Sequence, residues 1–437
     1  MSIVDLRGLE VYDSRGNPTT SAFLTVAHAD GTTAIYEGIA PSGASTGVFE
    51  ALELRDKTER CMGKGVQKAV ENINTVIKDA LIGKSVDLYA LDQIMFDLDG
   101  TPNKSNLGAN AILPVSMAIS KADAHIAGLP LWKYLQGHLG TEAAFPIPCV
   151  NVINGGEHAG NTLGPQEIML VPEAAETIEE AIQMSAEVFH HLKNIVKKEY
   201  SKVEGSLVGD EGGIAPMISD TPEALALLCK AIESAGYTGK IKIAMDVASS
   251  EFYDEEKKVY DLTFKCEEHT QVLTSDELVE EYVRWVQNFP IISIEDPFDQ
   301  KDWAAWSKLV ARLEETGNTH CQVVGDDLTV TNVERIQKAI DTKACNALLC
   351  KINQIGSISE SISAIKLCIE DGWKIMVSHR SGETEDAYIA HLATAVGNQI
   401  KTGSMSRSDR MAKYNELLRI SAGVHSPLGL ELNYAKW

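Results

Sequence analysis

The chain has 437 residues and a formal net charge of −23, which argues against nucleic acid or an anionic membrane as partners, since both need a basic patch. That length predicts one β/α barrel of about 250 residues plus a smaller domain, with core enough to fold without disulfide staples. Eight cysteines with no CxxC pair argue against a zinc ribbon or redox pair and read as reduced, mostly buried thiols.

The opening stretch MSIVDLRGLEVYDSRG carries charge at Asp5, Arg7 and Glu10 and has no leader-like apolar core. No run of about 18 apolar residues follows, so a cytoplasmic address and no membrane span are expected. Residues 3–12, 19–29 and 32–39 read as three strands, with Asp30-Gly31 as a hairpin signal. The small polar loop PSGASTG (41–47) breaks that pattern. Helical stretches at 63–82, 86–97, 107–127 and 130–137 follow, punctuated by Gly and Pro. These elements predict an α+β domain with a three-stranded antiparallel sheet. Pro146 and Pro148 mark its exit, so the domains are expected at 1–142 and 143–437.

Eight short apolar segments then occupy 149–154, 166–171, 241–246, 291–296, 322–327, 347–352, 374–379 and 399–403. Each carries an ionisable or polar residue at the same end. That pattern predicts a closed TIM-type barrel with its chemistry on one face. Only about a dozen residues separate the first two segments, too few for a helical crossover, so those strands should be antiparallel. Helical stretches at 175–200 and 222–235 come next, and strands and helices alternate thereafter. The order is ββαα(βα)6. It brings the start of the second strand, Gln166-Glu167, and the loop carrying Asp210-Glu211 to the active face.

Asp246, Glu295 and Asp326 end three strands and suit a hard divalent cation such as magnesium. Strand ends are also often acidic because loops begin there, and Asp296 and Asp327 are adjacent alternatives. Lys351 sits in an apolar strand, ALLCKINQ, where a lysine is either paired with a carboxylate or functional. In Ser378-His379-Arg380-Ser381 the arginine can clamp phosphate and a serine can add a hydrogen bond; an ordinary capped loop would read the same way. His158, in NGGEHAGN, fits a ligand, a proton carrier or a satisfied loop histidine. The SGASTG loop (42–47) lacks GKS/T and is no Walker A; it is either a lid offering hydroxyls or a plain turn.

Taken together, DSRGNPT (13–19), PSGASTG (41–47), LGANAIL (107–113), NGGEHAGN (154–161), QEIM (166–169), GDEGG (209–213), SIEDPF (293–298), DDLTVTN (326–332), NQIG (353–356), SHRSGETED (378–386) and IKTG (400–403) closely resemble enolase, the phosphopyruvate hydratase of glycolysis. The resemblance implies a hydro-lyase that interconverts 2-phosphoglycerate with phosphoenolpyruvate and water. It implies Asp246, Glu295 and Asp326 as ligands of a first Mg²⁺, with Ser45 joining a second that arrives with substrate. It further implies Lys351 as the base, Glu211 as the acid supported by Glu167, and Lys401 on the substrate carboxylate. Ser378, His379, Arg380, Ser381, His158 and Gln166 complete the implied substrate and phosphate contacts, with His379 and Glu167 implied in both the catalytic and the substrate-binding sets.

The implied chemistry needs Glu211 protonated, and neighbouring carboxylates are expected to raise its pKa. It needs Lys351 neutral, which nearby cations would favour. A homodimer is also implied. Three positions depart from the family pattern: Gly164-Pro165 before Gln166, Ser21 in place of a glutamate facing Arg419 across the dimer, and the tail from Ser421. Two other readings fit part of the pattern. A different metal-dependent α-proton abstractor leaves SHRSG and SGASTG unexplained. A non-catalytic surface role of the plasminogen-binding type favours a terminal lysine, and this chain ends Lys436-Trp437.

Overall fold

The computed structural model describes residues 1–28, 30–43, 47–267, 270–424 and 432–437. Strands β1 (Ser2–Tyr12), β2 (Pro18–Ala27) and β3 (Thr33–Ile39) form the expected antiparallel sheet in the order β1-β2-β3. Asp13 organises the first turn, its Oδ1 accepting from the backbone N–H of both Arg15 and Asn17 at 2.9 Å. Ala22, Leu24 and Val26 alternate along β2 and are fully buried. They pack toward the helix Ala109–Ile126, which is buried over most of its circumference and backs the sheet.

The stretch expected as one helix at 63–82 is broken. It runs as an α-helix over Gln67–Asn72, a π-helical turn over Ile73–Ile77 and a last α-turn over Lys78–Leu81. Within the widened turn the Asn74 side-chain amide pairs with both backbone groups of Gly8 on β1, at 2.9 and 3.0 Å. A Cβ at Gly8 would stand 2.8 Å from that of Ile73, so glycine permits this approach.

The barrel strands are β4 (Ile147–Asn154), β5 (Glu167–Val171), β6 (Lys242–Asp246), β10 (Ile291–Glu295), β11 (Gln322–Gly325), β12 (Ala347–Cys350), β13 (Lys374–Ser378) and β14 (Gln399–Lys401). They close in the order β4-β5-β6-β10-β11-β12-β13-β14, with β14 pairing back onto β4. β5 is antiparallel to both β4 and β6, as the short connection requires, and the remaining pairs are parallel. Side chains on both faces of these strands are buried, which is why they read as unbroken apolar runs.

Between β6 and the helix Ser275–Asn288 lies an insertion that the sequence pattern did not reveal. It contains a turn of helix at Ser249–Phe252 and a small antiparallel sheet of β7 (Tyr253–Asp254), β8 (Val259–Asp261) and β9 (Val272–Thr274). Strands of two or three residues separated by charged turns give no periodicity to detect.

The sheet domain sits over the strand ends of the barrel. Ser42 and Gly382 exchange backbone hydrogen bonds at 2.8 and 2.9 Å. Arg15 reaches from the first turn to the Gly43 carbonyl at 3.0 Å and to Ser381 Oγ at 3.3 Å. Ser21 is buried in β2, and its hydroxyl donates to Glu37 at 2.7 Å, while Arg419 pairs with Glu416 of its own helix at 2.9 Å.

Candidate active site

Every strand-end residue singled out in the sequence reaches one pocket or its immediate wall. Asp246 and Glu295 end β6 and β10, Asp326 and Lys351 each follow the last residue of their strand, Ser378 ends β13, and Lys401 ends β14. Glu167 begins the antiparallel β5 and Glu211 enters from the 209–213 loop, so both arrive at the same face. His158, Gln166, His379, Arg380 and Ser381 line the same pocket. Ser45 lies outside the described residues.

Lys401 is the centre of the arrangement. Its Nζ lies 2.7 Å from Asp246, 2.8 Å from Glu295 and 3.0 Å from Glu167, with all four side chains almost fully buried. Lys351 Nζ donates to Asp326 Oδ2, whose Oδ1 accepts from the Gln354 amide at 2.7 Å. Asp246 and Glu295 share the Lys401 ammonium, Asp246 and Asp326 line one pocket, and the Asp326 charge acts on Glu295, so these three carboxylates offer hard oxygens that suit a divalent cation. Oxygens of Asp296, Asp326 and Asp327 also lie within 4.8 Å of one another. Asp296 is the poorer alternative ligand, because its two oxygens already accept the backbone N–H groups of Asp326 and Asp327 at 2.9 and 3.0 Å.

Burial and neighbours split the two proposed acid partners in opposite directions. Burial, the Glu211 charge and the Asp246 charge push Glu167 well above the usual carboxylate range. Burial alone would raise Glu211 too, but His158 and His379 outweigh it and hold this carboxyl well below that range. His158 Nδ1 is 3.4 Å and His379 Nε2 3.6 Å from Glu211 Oε1, and Asn151 donates to Oε2 at 2.9 Å. The expectation that Glu211 itself is raised therefore does not hold in the ligand-free site: the histidines facing Glu211 lower it, and Glu167 is the member of the pair that is raised. Lys351 also departs from expectation. Burial lowers its pKa, but Asp326 more than compensates, leaving it above the ordinary lysine value.

Several residues at the site gave no distinctive signal in the sequence. Glu50 holds Arg380 through paired contacts at 2.8 and 3.2 Å, both side chains being buried, and also accepts from the Gly47 N–H. Asn151 is buried inside β4, and Arg410 lies in a charged stretch that reads as a solvated helix face. The 247–274 insertion grips the His158 loop: Lys265 donates to the carbonyls of Ala159, at 2.7 Å, and Gly156, and Glu251 accepts from the Glu157 N–H at 3.3 Å. The departure at Gly164 has a local reason, since a Cβ there would meet the Leu262 carbonyl oxygen of that insertion at 2.4 Å.

An eight-stranded barrel whose strand ends carry buried carboxylates and lysines under a separate sheet domain defines a class of barrel enzymes with active sites at that face. The family described as "Enolase, N-terminal domain" matches residues 3–135, and "Enolase, C-terminal TIM barrel domain" matches residues 142–434. Enolase 2 of Hevea brasiliensis is 50% identical over the whole of this chain and 97% of its own length. The chain belongs to the enolase family. It is accordingly a lyase, of phosphopyruvate hydratase activity.

Proposed function

We propose that this enolase reversibly dehydrates 2-phospho-D-glycerate to phosphoenolpyruvate, using magnesium held by Asp246, Glu295 and Asp326. The observation that carries the reading is the convergence of two lysines, the metal-type carboxylates and the Glu167–Glu211 pair on one barrel face. Two Mg²⁺ ions, the second arriving with substrate and joined by Ser45, would supply positive charge against the substrate's carboxylate as a second negative charge builds there.

The residues divide the remaining work. Lys401 and the cation-binding face receive the substrate carboxylate. Arg380, Ser381 and Ser378 receive the phosphate, with Arg380 already oriented by Glu50. His158, Gln166 and His379 enclose the rest of the small phosphorylated substrate. Lys351, once Asp326 no longer holds it protonated, takes the C2 proton through Nζ. The electron pair left on C2 forms the C2–C3 double bond as the C3–O bond breaks. Glu211, supplied with a proton by Glu167 across the carboxyl pair, passes it to the departing hydroxyl, which leaves as water. Glu211 needs only transient protonation, which fits a pair holding one shared proton.

The same reading takes 1–142 as a capping domain and 143–437 as the catalytic barrel, in a cytoplasmic homodimer. Among the described residues no helix is long and apolar enough to cross a membrane. The deciding test is formation of phosphoenolpyruvate by the purified protein, followed by ultraviolet absorbance with and without Mg²⁺. Turnover that depends on Mg²⁺ is expected; no product from 2-phosphoglycerate at saturating Mg²⁺ would overturn the assignment.

A further inference from the structure

Arg410 is fully buried, yet no step of the proposed reaction uses it. It lies in the first turn of the helix Ser408–Ser421, behind the pocket wall. Its Nη1 is 2.6 Å from His379 Nδ1 and donates to the Arg380 carbonyl at 2.6 Å. Its Nη2 donates to the Ser381 carbonyl at 2.7 Å and the Asp210 carbonyl at 3.3 Å. One guanidinium therefore ties the 378–381 loop to the loop that carries Glu211.

A guanidinium has only donors, so its contact with His379 fixes what that ring nitrogen does. Nδ1 must accept, and the ring proton of a neutral imidazole must then sit on Nε2. Nε2 is the atom that faces Glu211, at 3.6 Å. We propose that Arg410 is a positioning residue: it fixes His379 as a neutral imidazole carrying its proton on Nε2, directed at Glu211.

The surroundings agree. Glu211 faces His379 from its loop, Arg410 from the last helix, Lys401 from β14 and Lys351 from the end of β12. Burial first, then the three cations, hold His379 well below the usual histidine range, against the opposing pull of Glu211. The fold also makes room for the arginine. A Cβ at Gly403 would stand 2.7 Å from Arg410 Cδ, and Gly403 has φ of +76°, so glycine suits the position twice over.

This inference rests on the enolase reading for its catalytic meaning, but its test does not. In the full-length protein labelled with ¹⁵N-histidine, long-range ¹H–¹⁵N spectra report which nitrogen of His379 is protonated, and a His379→Gln variant assigns the signal. The wild type is expected to show the Nε2–H form throughout pH 5.5–8. Arg410→Gln is expected to give His379 a titration or a mixed tautomer in that range. Its kcat should fall about 10²-fold with KM little changed, and its kcat–pH profile should gain an ionisation. Arg410→Lys keeps a donor-only cation and should retain both the low pKa and the Nε2–H form. An Nδ1–H or imidazolium form of His379 in the wild type at pH 7 would overturn the proposal, even if no arginine variant folds. So would an unchanged tautomer and pH profile in folded Arg410→Gln. Failure to form phosphoenolpyruvate would overturn the reaction and leave the tautomer readable.

Discussion

Lys401 at the barrel mouth and Lys413 in the wall behind the 380–386 loop are both fully buried lysines, one on the strand β14 and one on the final helix. Lys413 donates to one carboxylate, Glu383, at 2.7 Å, and to the carbonyls of Thr384 and Asp409 at 2.6 and 2.8 Å. Its three N–H groups and single charge are all matched. Lys401 instead faces the carboxylates of Asp246, Glu295 and Glu167, with Asp296, Asp326 and Asp327 close by. The wall has its charge balanced by the protein alone. The pocket presents more carboxylates than its lysines can neutralise, and such a group is completed by protons or by a bound cation.

That difference predicts how each region breaks. The largest effect is expected at the pocket: Asp246→Ala and Asp326→Ala should each remove Mg²⁺-dependent turnover to below detection in a phosphoenolpyruvate assay. Full turnover of the wild type in excess chelator would refute the cation as the missing partner.

Next come the proton-transfer groups, where loss of one member is expected to cost about 10²–10⁴ in rate. Lys351→Ala should lose both turnover and exchange of the C2 hydrogen with solvent deuterium. Glu211→Gln should lose turnover but keep measurable C2 exchange, because abstraction precedes loss of the hydroxyl. Following C2–H by NMR at saturating Mg²⁺ checks both, and the reverse pattern would exchange the two roles.

Much of the pocket was legible in the sequence because the barrel repeats one device. Asp246, Glu295, Asp326, Lys351 and Lys401 each close an apolar run, and a fixed strand direction sends them all to one face. Glu167 and Glu211 became legible once the short link before Gln166 was read as antiparallel. The 247–274 insertion, Glu50, Asn151 and Arg410 were not legible, because their significance comes from long-range contacts rather than from local pattern. The direction of the Glu211 shift was misread for the same reason. Adjacent carboxylates are visible from strand order, but the two histidines that favour ionised Glu211 meet it only in the folded barrel.

In the balanced wall, removing one partner should be costly. Lys413→Ala leaves Glu383 buried without its cation, and an orphaned buried charge typically costs about 3–5 kcal/mol. A lowered urea midpoint in the ligand-free protein is the expected result. An unchanged midpoint would mean that the wall tolerates unpaired charge as the pocket does.

The smallest effect has the opposite sign and is the sharpest test of the contrast. Asp327 is pushed up to about 7, first by burial and then by the neighbouring Asp326 carboxylate. Between the ordinary aspartate value of 3.8 and about 7, the folded state keeps a proton that the unfolded chain has released. Stability of the ligand-free protein should therefore fall as pH rises through that window, and the full penalty is present above it. Asparagine at this position removes the charge without changing the shape. Asp327→Asn should stabilise the ligand-free protein at pH 8 by at most about 4 kcal/mol, taking about 1.4 kcal/mol per pKa unit from 3.8 to about 7 and less because this side chain is only partly buried, and should have little effect at pH 4. Urea titrations at the two pH values measure the difference directly. Neutralising a charge would then destabilise the wall and stabilise the pocket, as expected if the wall is complete within the protein and the pocket is completed by a bound cation. A loss of stability at pH 8 in Asp327→Asn would mean that the pocket carboxylates are already compensated by the protein, and would remove the electrostatic argument for a cation there.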